Sequence, residues 1–147
     1  MGIDSGDMHA AYMMAMLYVK GTGVAKDPET AIKYLLMAAN DEHFKKGPFY
    51  KEIPILIALL LDVEINKPDE AAKWYYESQR VSPNGGEIDL KELASNGNAA
   101  AQYYYGQLLR DKYKKTRDRT FFKEARVWEK KSESQNYPLA VALSKKK

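Results

Sequence analysis

Residues 18–40 read YVKGTGVAKDPETAIKYLLMAAN. Gly21, Thr22, Gly23 and Val24 stand ahead of Asp27-Pro28, and a helical run follows. Such a loop is either a phosphate cradle or the elbow between two packed helices. A phosphate loop follows a strand and carries Lys-Ser or Lys-Thr where its helix begins. This loop follows a helical pattern and carries neither. Gly21 can end the first helix in a left-handed conformation, and Gly23 lets the chain reverse. Asp27 is a good N-cap, and Pro28 lacks only an N–H that has no partner at a first helical position. The stretch therefore reads as the elbow of a helical hairpin.

Periodicity on either side agrees. Ala11, Met14, Ala15 and Tyr18 fall at i, i+3, i+4 and i+7, as do Ala31, Tyr34, Leu35 and Ala38. Small residues let two helices approach closely while the aromatic fills the space beside them. The unit recurs. DPETAIKYLL at 27–36 is echoed by KPDEAAKWYY at 67–76 and, more loosely, by EARVW at 124–128. HAAYMMAMLY at 9–18 matches AAQYYYGQLL at 100–109, with EIPILIALLL at 52–61 in the same frame. Each unit has a helix A and a helix B. The joining loops are expected to differ: DVEINK in the second, and a longer charged stretch in the third.

Composition bounds what such a chain does. Its 147 residues suffice for one domain with a core. Lys plus Arg number 23 and Asp plus Glu 20, so a net charge of +3 does not argue for nucleic acid or a membrane surface. With no cysteine, disulfides, thiol catalysis and thiolate metal sites are excluded. His9 and His43, in no ligand spacing, read as surface or packing residues. The longest apolar run, IPILIALLL at 53–61, falls well short of the about 20 residues a membrane span needs. Residues 1–7 are short and polar and show no signal peptide, whether they are a genuine start or follow a replaced leader. Cytoplasm and periplasm both remain open.

The stretch GDMHAAYMMAMLYVKGTGVAKDPETAIKYLLMAAND at 6–41 resembles one Sel1-like repeat, of the tetratricopeptide-related helical solenoids. Ala10, Tyr12, Ala15, Tyr18, Gly21, Gly23, Val24, Asp27, Ala31, Tyr34, Ala38 and Ala39 occupy that pattern's places. ASNGNAAAQYYYGQLL at 94–109 resembles a junction between repeats, through Ala94, Gly97, Ala101, Tyr103 and Gly106. The middle repeat is degenerate: it lacks the glycine loop, and Pro54 is expected to break the start of its helix A. The third has RDKYKKTRDRT in place of the loop, and its helix B ends KKSES rather than Ala-Ala. The resemblance implies an all-α, right-handed solenoid of about three degenerate helix-turn-helix repeats, at 6–41, 42–82 and 94–136. An insertion at 83–93 would turn at Pro83 to Gly86 and lead through a short helix into the third repeat. A C-terminal cap at 137–147 would cover the last hydrophobic face.

In such repeats helix A usually lines the concave side. Opposite the core stripe lie Met13, Met16, Leu17 and Lys20 in the first unit. Leu56, Leu59, Leu60 and Val63 take these places in the second, and Tyr104, Gln107, Leu108 and Asp111 in the third. Many are apolar, which fits either a partner groove or burial of helix A on both sides, burial being favoured for the second unit. Arg110, Lys112, Lys114, Lys115, Arg117 and Arg119 crowd around Tyr113. That segment reads as a solvated helix extension, an acidic-protein contact or a phosphate-binding stretch. Candidate partner-binding residues are Met13, Met16, Lys20, Tyr104, Gln107, Arg110, Lys114 and Lys115. Carboxylates such as Asp69 and Glu70 sit at helix starts, where they complement the helix dipole. No catalytic constellation, metal site or cofactor is indicated. The family resemblance implies a non-catalytic protein-interaction module, an adaptor or scaffold in signalling, secretion or envelope processes. Small bacterial members resemble immunity proteins that neutralise a secreted toxin. Nucleic-acid binding through 110–119 is the alternative from another class.

Overall fold

The glycine elbow closes through three backbone hydrogen bonds. In the computed structural model, which describes residues 8–82 and 86–146, α1 is Met8–Lys20 and α2 is Pro28–Ala39. The leading residues 1–7, Pro83, Asn84 and Gly85 of the expected turn, and Lys147 lie outside the described residues. Gly21 takes φ +74° and donates its N–H to Leu17 O at 2.7 Å; Thr22 donates to the same carbonyl at 3.2 Å. Asp27 N–H then returns to Tyr18 O at 3.0 Å, locking the reversal. The Asp27 carboxylate accepts from Thr30 N–H and the Thr30 hydroxyl, which hold its carboxyl below the usual carboxylate range. Beside the elbow Tyr18 stacks on Tyr34, ring centroids 5.9 Å apart.

The second hairpin starts with an unforeseen detour. After α2 come a short helix α3, Glu42–Lys45, and a 3₁₀ turn, Tyr50–Glu52. Phe44 and Phe49 from this segment lean on Tyr12 of α1, and Phe49 also meets the ring of the exposed His9. Then α4, Ile53–Leu59, runs directly into a π-helical turn, Leu60–Glu64, before α5, Pro68–Val81. Pro54 does not break helix A. It lies buried in the first turn of α4, where a missing N–H is harmless. The first half of the expected DVEINK loop is also helical, and the true joint is Ile65 to Lys67, with Asn66 at φ +62°.

The remaining helices are α6 (Glu87–Ser95), α7 (Ala99–Thr116), α8 (Arg119–Ser134) and α9 (Pro138–Ser144). The charged stretch expected as a loop is therefore the last turns of α7 and the first of α8. They join through Arg117 and Asp118 alone, Arg117 taking φ +60°. Asp118 caps α8 by accepting from Thr120 N–H at 3.0 Å. The expected insertion is helical from Glu87 onward.

The described residues contain helices and no strand, so the fold is all-α, a helical solenoid. α1 packs on α2, α4 on α5, and α7 on α8; α5 and α6 also pack on α7, and α9 on α8. Helix B keeps a small, fully buried residue at both ends of two turns: Ala31 and Ala38, Ala71 and Ser78, Ala125 and Ser132. Ser132 uses its hydroxyl to bridge helices, donating to Ala99 O at 2.7 Å. A polar clasp secures the α6–α7 joint. The buried Gln102 donates to Ala94 O at 3.2 Å, while Gln135 donates to Gln102 Oε1 at 2.9 Å and to Gly97 O at 3.0 Å.

Candidate functional site

The A-helix faces differ from one hairpin to the next. On α1, Met13 is 52% exposed, Leu17 and Lys20 are also open, and Met16 is half-buried against the core. On α4 and its π turn the row divides. Leu60 is buried and Leu56 partly so, whereas Leu59 stays open and Val63 is 68% exposed. The π turn causes this by spacing its hydrogen bonds one residue wider than an α-helix. A cleft of about 280 Å³ lies here, walled by Val19, Leu56, Leu59, Leu60 and Val63. Across its rim Lys26 pairs with Glu64 at 2.9 Å.

On α7 the corresponding face is closed. Tyr104 is half-buried between Tyr76 of α5 and Tyr103, with ring centroids at 5.6 and 5.0 Å. Burial first, then the neighbouring Tyr137 and Tyr103, push its phenol up to about 12. Gln107 donates to the Tyr103 hydroxyl at 2.7 Å, Leu108 is buried, and Asp111 accepts from the Tyr76 hydroxyl at 2.7 Å. Packing between the second and third hairpins thus occupies Tyr104, and a hydrogen bond within α7 occupies Gln107; both were expected to face a partner. The signal that would have shown this is Tyr76, one residue beyond Tyr75 and so turned about 100° around α5.

The basic segment does not form one patch either. Arg110 grips Glu129 of α8 with two hydrogen bonds, one at 2.9 Å through Nη2, and these hold its guanidinium above its ordinary value against the opposing effect of burial. Gly106 makes room for that pair, since a Cβ there would stand 3.1 Å from Glu129 Cγ. Lys112 reaches Glu87 of α6 at 2.6 Å. Arg117 lies over the Tyr113 ring and Arg119 over Phe122. Among the described residues Lys114, Lys115, Arg117 and Arg119 make no ion pair, and Lys114 and Lys115 project from α7 as exposed side chains. Among the described residues no group of three or more acidic or histidine side chains could hold a metal. No described helix is long and apolar enough to cross a membrane.

What the geometry offers is surface: open apolar side chains on the first two A helices, and a mixed-charge cleft beside α7. The family comparison bears on the same hairpin. The model of the Sel1 repeat matches residues 9–43, which span α1, the glycine elbow and α2. The chain carries a Sel1 repeat in this first hairpin. Sel1 repeats generally mediate protein–protein interaction and are typically non-catalytic. No curated protein and no solved structure matches this chain.

Proposed function

We propose that this chain is a non-catalytic interaction module, an adaptor or scaffold that holds a partner protein on its A-helix face. The observation that carries the reading is two open apolar pairs, Met13 with Leu17 on α1 and Leu59 with Val63 on α4 and its π turn, in a chain whose third A-helix face is sealed by α5. The occupant is an apolar helix face of the partner, because two open pairs at i and i+4 match the ridges of such a helix. Met16 and Lys20 edge the α1 pair. A toxin-neutralising immunity protein is the specific form of this reading in which one cognate partner is held tightly.

The test compares wild type with Met13→Asp plus Val63→Asp. Both residues are exposed, so the helical circular-dichroism spectrum and melting point should be unchanged. A partner captured from the source cells is purified and titrated against each form. The variant should bind at least about tenfold more weakly, as expected when central apolar contacts are replaced by charge. Undiminished affinity would remove the A-helix face from consideration. If the purified partner is a secreted toxin whose activity the protein abolishes, the immunity form of the reading holds.

A further inference from the structure

A second cleft, of about 610 Å³, opens where the C-terminal ends of α5 and α7 flank the start of α6. Its charged walls are Arg80, Glu87, Asp111, Lys112, Lys114 and Lys115. The two acids are already engaged. Glu87 accepts from Lys112 Nζ at 2.6 Å and from Gln79 Nε2 at 3.2 Å. Asp111 accepts from the Tyr76 hydroxyl at 2.7 Å. The cations are not all matched in this way. Among the described residues Lys114 and Lys115 make no ion pair, and Arg80 has only a long contact of 3.6 Å with Glu77, its side chain 62% exposed. Internal pairing thus leaves the cleft with surplus positive charge on two facing helices, with Leu108 and Tyr76 between them.

Surplus cations around fixed acids select for a ligand with separate, discrete anionic groups. A continuous phosphate track would run against Glu87 and Asp111, and Tyr76 is packed on Tyr104 and so gives no platform for a base. Carboxylate side chains along a peptide can meet the lysines singly and leave the acids undisturbed. The geometry points to this cleft as the docking site for an acidic segment of a partner protein, its carboxylates meeting Lys114, Lys115 and Arg80. This rests on the interaction-module reading and adds the chemistry of the partner.

The experiment uses the full chain and a fluorescent synthetic peptide of alternating Glu and Leu, with the Gln-for-Glu peptide as its uncharged counterpart. Anisotropy titrations compare wild type, Lys114→Glu plus Lys115→Glu, and a control, Lys33→Glu plus Lys46→Glu, of the same net charge. All four lysines are exposed, so a matched melting point is the entry condition, and Lys114→Gln plus Lys115→Gln replaces the reversal should that variant fold poorly. The Glu peptide should bind wild type, more weakly as salt rises, and the Gln peptide should not. Reversal at Lys114 and Lys115 should weaken binding about tenfold, and the control reversal about twofold or less. Three results would overturn the proposal: no binding of the Glu peptide, equal loss in the control, or tighter binding of a single-stranded oligonucleotide of equal charge. If the peptide fails while Met13→Asp plus Val63→Asp still releases the native partner, the cleft proposal falls and the module reading stands. If the peptide binds and the native partner ignores the A-helix variant, the A-helix face falls and the cleft stands as the module's docking site.

Discussion

Gly86 sits at φ +79° immediately before α6, pressed against α5. A methyl group there would lie 2.2 Å from Ser78 Oγ and 2.7 Å from Tyr75 O. The Ser78 hydroxyl can swing aside, but the Tyr75 carbonyl is backbone and cannot yield without moving α6 off α5. Gly86→Ala should therefore lower the stability by roughly 3 kcal/mol, read from the denaturant midpoint. Arg117 is the opposite case. It carries a side chain at φ +60° where the first hairpin has Gly21. Arg117→Gly should raise stability by about 0.5 kcal/mol, the relief of a left-handed residue less an exposed cation–π contact with Tyr113. A fall in the midpoint would show that the Tyr113 contact outweighs the strain. At this scale the first elbow was legible, because Gly21, Asp27 and Pro28 each have a preference that points one way. The third joint was not, since arginine carries no signal for positive φ.

Helix α5 is the element that ties its neighbours together. Tyr75 donates to Asp62 on the π turn behind it at 2.8 Å, and Tyr76 donates to Asp111 on α7 ahead of it at 2.7 Å. Tyr76→Phe removes the second bond and leaves a part-buried carboxylate without it, which should cost about 1–2 kcal/mol. Tyr34→Phe is the comparison, since that ring stacks on Tyr18 and its hydroxyl makes no hydrogen bond to a described residue; its effect should stay within about 0.5 kcal/mol. Equal losses would mean that ring packing, not the phenol–carboxylate bond, joins the hairpins. The helices themselves were legible wherever small and aromatic residues recur at i, i+3 and i+4. RDKYKKTRDRT was placed as the joining loop because its polarity resembles one, although nothing in it breaks a helix before Thr116, and its reading as a solvated helix extension matches the end of α7. The π turn was hidden for a similar reason: its residues are those of an ordinary apolar helix ending in acids.

Across the whole molecule, buried phenols set a limit at high pH. Tyr104 and Tyr105 are both pushed from 10.0 up to about 12, chiefly by burial, and Tyr75 and Tyr76 go higher still. A raised folded-state value means that stability is full below pH 10.0 and falls as pH climbs towards about 12, because the unfolded chain releases protons that the folded chain retains. Tyrosinate absorbance from these residues and loss of helical ellipticity should therefore rise together in that window. Tyrosinate formation well before helix loss would contradict the burial described here. The repeat architecture was readable because it rests on local patterns. The closure of the α7 face and the pairing of Lys112 with Glu87 join residues far apart in the chain, so no local pattern announced them. The anchoring of α5 on both sides also makes the molecule mechanically uneven. A helical solenoid bends like a spring when every joint yields equally. Here the joint between the second and third hairpins is bolted by Tyr76 and an aromatic row, while α2 touches α4 only slightly. Load applied along the solenoid would concentrate at that looser joint, swinging the first hairpin as a stiff lever. The cleft of Val19, Leu59 and Val63 straddles it, so a ligand seated there would act as a wedge that fixes the angle.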